Sequence, residues 1–155
     1  IPNLDVRRFT PEFVPREVYT LRVVLGPQDD AFSEEGLQTF LNETYTVTPE
    51  FDRMGYRLNG AAIAHKNGAD IISDGIAFGA IQVPASGTPI IMLADRQTTG
   101  GYTKIANVIS ADFRLLSQLK ANDKVRFAKV SVAAAQDAKR AERDALRVFA
   151  YAFGR

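Results

Sequence analysis

Residues 90–109, IIMLADRQTTGGYTKIANVI, place two apolar segments on either side of a polar middle. Residues 90–93 have no polar face and read as a strand buried on both sides, while residues 105–109 read as a further strand. Residues 96–102 between them read as a loop. Eight hydrogen-bonding side chains and two glycines in residues 95–104 would make a poor core. A strand, a polar loop and a strand predict a sheet at the centre of the chain.

Working outward, residues 18–25 (VYTLRVVL) alternate, with Leu21, Val23 and Leu25 on one side, and stop at Gly26-Pro27. Ser33 is a suitable N-cap for a helix whose core face is Leu37, Phe40 and Leu41, and Phe32 can staple onto Leu37. Tyr45 and Val47 alternate with threonines in a short strand that Pro49 closes at an edge. Asn59-Gly60 and Asn67-Gly68 are hairpin-type signals, because Asn-Gly accepts positive φ. Residues 71–73 and 76–83 are strand candidates. Ser110 can cap a short helix reaching 119, and residues 124–132 return to strand with a slip resembling a bulge. From Ala133, alanines recur at three- and four-residue steps with charges opposite, and Phe149 lies on the same stripe. This predicts an amphipathic helix docked on the barrel or on a partner, with Arg140 and Asp144 paired along it. The expected fold is mainly β, with two or three helices. The expected division is an extended linker over 1–17, a barrel domain over 18–132 and a helix over 133–155.

Composition excludes several classes of function. Nineteen basic against eighteen acidic residues in 155 give a net charge of +1, so no bulk field draws the chain to nucleic acid or to an anionic membrane. There is no cysteine, hence no disulfide and no thiolate chemistry. The N-terminal residues carry no basic and apolar leader pattern, and no apolar run reaches a membrane span. The expectation is a soluble, cytoplasmic chain.

No phosphate-binding loop, dinucleotide fingerprint, paired-histidine metal motif or serine nucleophile elbow is present. His65, the only imidazole, stands beside Lys66-Asn67-Gly68 and reads as a solvated loop histidine. The chemistry concentrates in two clusters. Around Gly100-Gly101, adjacent glycines can turn backbone N–H groups into a nest, Thr98 and Thr99 can donate to the same oxygen, and Arg96 and Lys104 add charge. The other reading of that segment is a long polar connector in which Asp95 pairs with Arg96 or caps the turn. In Asp52-Arg53-Met54-Gly55-Tyr56-Arg57, Arg53 can clamp a carboxylate, or the segment is a surface turn with Tyr56 packed inward.

The strings LGPQDDAF (25–32), DRMGYRL (52–58), GAIQVP (79–84) and LADRQTTGGYTKIANVI (93–109) resemble, in order and spacing, the C-terminal half of the 5-oxoprolinase C-subunit family. The same family is also called KipI antagonist or allophanate hydrolase subunit 2. The resemblance implies a cyclophilin-like β-barrel and a first, similar half preceding this one. It implies work with a KipI-like partner and a third subunit in ATP-dependent opening of 5-oxoproline to glutamate. A related urea carboxylase module moves a carboxyl group from biotin to urea, and some members are named for antagonising a kinase inhibitor by binding. A small amide or carboxylate is the expected substrate, with no metal and no cofactor bound by this chain alone. On this basis Arg53, Arg96 and Lys104 are assigned to carboxylate or phosphate binding, together with Gly100, Gly101 and Tyr102. Gln97, Thr98 and Thr99 are assigned to an oxyanion, and Asp95 to orienting them. Two positions depart from the family: Thr103 stands where proline is usual, and Phe51 where serine is common, so a less rigid loop is expected.

Overall fold

The computed structural model describes residues 16–153. β1 (Tyr19–Leu25) buries Leu21 and Val23 and turns Thr20 outward, as a strand with one core face does. Ser33 then caps α1 (Glu34–Asn42), its hydroxyl accepting from the Gly36 N–H. α1 lays Phe40 on Phe127 with ring centroids 4.5 Å apart. Gly36 lets α1 lie against the chain at Ala64, since a Cβ there would collide with the Ala64 carbonyl oxygen.

β2 (Tyr45–Phe51), β3 (Gly55–Asn59), β5 (Ala80–Gln82), β6 (Ile90–Met92), β8 (Lys104–Val108) and β9 (Lys124–Lys129) join β1 in a closed barrel ordered β1-β8-β5-β6-β3-β2-β9. All its pairings are antiparallel except the closing one, where β9 runs parallel to β1. Register partners share a face. Val23, Val108, Ala106, Ile81, Ile91, Tyr56, Leu58, Val47 and Val125 therefore form the inner face, and all are buried in one core. The chain is thus mainly β, a barrel with three helices, as expected.

Outside the barrel, β4 (Asp70–Gly75) and β7 (Thr99–Tyr102) form a separate antiparallel pair. The segment after β4 brings Ile76 down onto Ala80, Met92 and Ile90, making a small second cluster on the outer face. This pair and Ile76 together act as a roof.

Several local expectations change. Pro49 does not end β2, which continues to Phe51 through an irregularity between Val47 and Phe51. Asn59-Gly60 is no hairpin turn: β2 and β3 are joined at residues 52–54, where Asp52 Oδ1 accepts from the N–H groups of Met54 and Gly55. Residues 96–102 are not all loop, because β7 lies among them. Ser110 makes no cap hydrogen bond; a 3₁₀ turn at Ser110–Asp112 leads into α2 (Phe113–Leu116). Buried Asp112 there takes the Arg22 guanidinium and, at 2.8 Å, the Arg22 backbone N–H.

α3 (Val132–Phe153) touches the Ser110–Asp112 turn, and Ala138 of its alanine stripe is half-buried. Ala134, Ala141 and Ala145 are exposed, as is Leu146. Arg140 pairs with Asp137 and not with Asp144, while Lys139 meets Glu142 at 2.7 Å. The Phe149 side chain and residues 1–15 lie outside the described residues, and so does nearly all of the expected linker. Among the described residues no helix is long and apolar enough to cross a membrane.

Candidate functional site

Across the outer face of β3, β6, β5 and β8 the registers Arg57↔Ile90, Ile90↔Gln82 and Gln82↔Lys104 set one row of side chains. Asn107 follows on β8, opposite Ala80 and Val24. The middle of this row is covered by the β4–β7 roof. Gly100 of β7 comes so close that a Cβ there would meet Ile76 Cδ1 at 2.8 Å and Gln82 Nε2 at 2.9 Å. A side chain at position 100 would lift the roof off the row.

Lys104 is only 2% exposed, an unusual burial for an ammonium. Its Nζ lies 3.1 Å from Asp74 Oδ2 on the roof, in a direction that makes an ion pair without a well-formed hydrogen bond. Asp74 is 53% exposed. The Lys104 ammonium holds the Asp74 carboxyl below the usual carboxylate range, assisted by the Gly75 N–H and the Gln28 amide. Gln28 bridges the two layers: its Nε2 donates to Asp74 at 3.3 Å and its Oε1 accepts from the Lys104 N–H at 3.2 Å. Among the described residues three buried polar atoms on the row have no hydrogen-bond partner, namely Lys104 Nζ, Gln82 Nε2 and Asn107 Oδ1. Buried polar groups are normally satisfied, so two donors and an acceptor left over on one row mark a place where something else supplies the partners.

The roof leaves an opening on each side. One, of about 380 Å³, is bordered by Lys104, Asn107, Gly75, Ala77 and the Val24–Pro27 turn. The other, of about 400 Å³, is bordered by Gln82, Gln97, Arg57, Glu50, Ile90 and Met92.

The sequence-predicted residues divide between these places and elsewhere. Lys104 is at the centre, Gln97 edges one opening, and Tyr102 lines a neighbouring cleft. Arg53 does come to the other cluster, but to Asp95: its Nε lies 2.9 Å and its Nη2 3.2 Å from the carboxylate, on a surface where Arg53 is 82% exposed. Asp95 therefore neither pairs with Arg96 nor faces the row. Arg96 is a brace, donating to the carbonyls of Ile76 and Leu93 at 2.9 and 3.2 Å beside the Phe78 ring. Gly100 and Gly101 sit in β7 without positive φ, so no nest forms there; the smallness of Gly100 lets the roof close. Thr98 and Thr99 are exposed on the roof.

His65 is half-buried, not solvated. Its Nε2 lies 3.2 Å from the Val83 carbonyl and 3.1 Å from Thr103 Oγ1, with the ring against Phe32. Thr103 thus has a reason to replace proline: its hydroxyl meets His65 and its N–H donates to Ala69 O at 2.9 Å, a bond proline cannot make.

Gln82, Asn107, Gln28 and Asp74 were not singled out from the sequence. A lone amide in the apolar run GAIQVP was the available signal for Gln82. Asp74 had none, because only the β4–β7 pairing brings it over Lys104.

Residues 5–129 match the family model described as carboxyltransferase domain, subdomain A and B. The chain is 39% identical over 120 residues to the 5-oxoprolinase C-subunit of Haemophilus influenzae, covering 77% of this chain and 39% of that protein. It is 33% identical over 129 residues to the 5-oxoprolinase C-subunit of Escherichia coli, covering 83% of this chain and 41% of that one. The chain spans about two fifths of the length of these relatives. The crystal structure of Kluyveromyces lactis urea carboxylase superposes with a TM-score of 0.82 at 24% identity, over 90% of this chain and 13% of that one, a likeness of fold.

Proposed function

This chain belongs to the carboxyltransferase-domain family, subdomains A and B, and from that premise we propose that it forms part of a cytoplasmic, 5-oxoprolinase-type enzyme. In that assembly it works with a KipI-like partner and with the further portion that its longer relatives possess, and by itself it turns nothing over. The single observation that carries the reading is the buried Lys104 ammonium beneath the roof, beside an unpaired amide donor and an unpaired acceptor.

Opening a lactam or carboxylating a urea places negative charge on a carbonyl oxygen. A cation and N–H donors fixed where that charge develops lower the barrier, with about 10²–10³ in rate for one well-placed donor. Lys104 Nζ is such a donor, held beside the unpaired Asn107 Oδ1. Asp74 orients Lys104 and keeps the roof over the row. ATP, the co-substrate of this reading, is assigned to the rest of the assembly, because the adjacent glycines here lie in an extended strand that does not cradle phosphates.

The description of the family model favours a second reading, a carboxyltransferase module of urea carboxylase type. The orphaned atoms fit a ureido ring as they fit a lactam, so Lys104, Gln82 and Asn107 would hold biotin there. Biotin carboxylated elsewhere in such an assembly would supply the carboxyl group. A purely regulatory protein binding a KipI-like inhibitor is the remaining alternative.

The test is co-expression with the KipI-like partner and the first half, followed by assay with ATP and 5-oxoproline, and separately with carboxylated biotin and urea. Turnover of 5-oxoproline that depends on all components is expected. Turnover of urea alone would replace this reading with the carboxyltransferase one. Partner binding with no turnover of either would support the regulatory one.

A further inference from the structure

The opening away from Lys104 has a chemistry of its own. The row there is Arg57, Ile90 and Gln82, on three neighbouring strands. Gln82 is 5% exposed, and its Nε2 has no hydrogen-bond partner. Leaving such a donor unmet costs about 1–3 kcal/mol, and an apolar side chain of the same length would fill the space without that cost. The missing partner is an acceptor.

Arg57 is exposed, and among the described residues its guanidinium makes no ion pair or hydrogen bond. Strands two apart lie roughly 9.5 Å from each other, a span a leaning arginine closes while leaving room above Ile90 for a planar group. An arginine fork and an amide N–H on either side of that space match the two oxygens of a carboxylate. Glu50, from the irregular stretch of β2, borders the same cleft and also lacks an ion pair among the described residues. It opposes a second negative charge and accepts from an N–H. The cleft continues past Glu50, Arg57 and Ile90 into a second of about 560 Å³ bordered by Thr48, Ser86, Thr88 and Tyr102, so the ligand can enter freely from that side.

We propose that Gln82 and Arg57 form a carboxylate subsite, taking a small carboxylic acid that carries an N–H group for Glu50. The subsite rests on the reading of the chain as handling a small amide, and deepens it by naming the part of that molecule held farthest from Lys104.

The purified chain is titrated with 5-oxoproline, with propionate, which has only the carboxylate, and with 2-pyrrolidinone, which has only the lactam. Binding is followed by calorimetry and by the NMR signal of the Gln82 side-chain amide. Saturable binding of 5-oxoproline, weaker binding of propionate, a shifted Gln82 amide and at least tenfold loss in Arg57→Met are expected. Gln82→Leu should weaken binding similarly, while exposed Arg57→Met tests the point without disturbing the fold. Absence of saturable binding by either acid, 2-pyrrolidinone binding as tightly as 5-oxoproline, or unchanged affinity in Arg57→Met overturns the subsite. Carboxylate binding by the chain with no turnover in the assembled complex removes the enzymatic reading and leaves the subsite. Turnover with an unchanged KM in Arg57→Met does the reverse.

Discussion

Lys104→Met separates a structural lysine from a chemical one. The side chain is 2% exposed, but its partner carboxylate is 53% exposed, so removing the ammonium strands no charge in the interior. Methionine keeps the length and most of the volume, which limits any cavity. The partner carboxylate is half solvated, so the pair adds little, while removing the ammonium also removes the cost of keeping it from water. The fold is therefore expected to be unchanged or more stable. Loss of a donor aimed at a developing charge instead lowers kcat by about 10²–10³. Urea denaturation followed by circular dichroism gives the first quantity, and 5-oxoproline turnover by the reconstituted complex gives the second. Full turnover by the Lys104→Met complex refutes the chemical role. A stability loss above about 3 kcal/mol shows that the lysine is kept for the fold.

Asp112→Ala removes the acceptor of Arg22 at a nearly buried position; because Arg22 itself is 42% exposed, the expected cost is about 2 kcal/mol in urea denaturation, below that of a fully buried pair. Gly100→Val puts branched carbon into space already held by Ile76 and Gln82, and should cost about 1–3 kcal/mol while speeding hydrogen exchange of the β7 amides through a raised roof. Asp74 has a folded-state pKa below its unfolded value, so its contribution is complete above the ordinary carboxylate range and is lost as pH falls through the lowered pKa; β7 protection should fall in acid, and Asp74→Asn should remove that pH dependence.

Much of the barrel was legible because its inner face obeys period two: Leu21 and Val23, Tyr45 and Val47, and Val125 and Phe127 all announce themselves. Ser33 was legible for the same local reason, since a cap acts on the N–H three residues on. The roof was not. β4 and β7 pair across an intervening stretch that contributes two barrel strands, and a polar strand over a polar row has no one-sided hydrophobic pattern to report. The glycines at 100 and 101 were read as a nest for an anion, but they lie in a strand without positive φ, and what Gly100 admits is the approach of Gln82 and Ile76. Arg53 and Arg96 show the limit of reading charge from sequence. One is matched by a carboxylate 42 residues away, and the other is taken up by the carbonyls of Ile76, before β5, and Leu93, after β6.

The seam between β1 and β9 also bears on how the molecule comes into being. β1 is the first barrel strand to leave a ribosome and β9 the last, so one edge of β1 has no native neighbour until almost the whole barrel has been synthesised. Its other neighbour, β8, also comes late. Closure therefore demands contacts of high sequence separation, which slow folding and leave β-rich intermediates with open edges exposed to other chains. A nascent chain arrested before Lys124 holds an apolar strand, Tyr19–Leu25, with an open flank, and dependence on holding chaperones during synthesis follows from that topology.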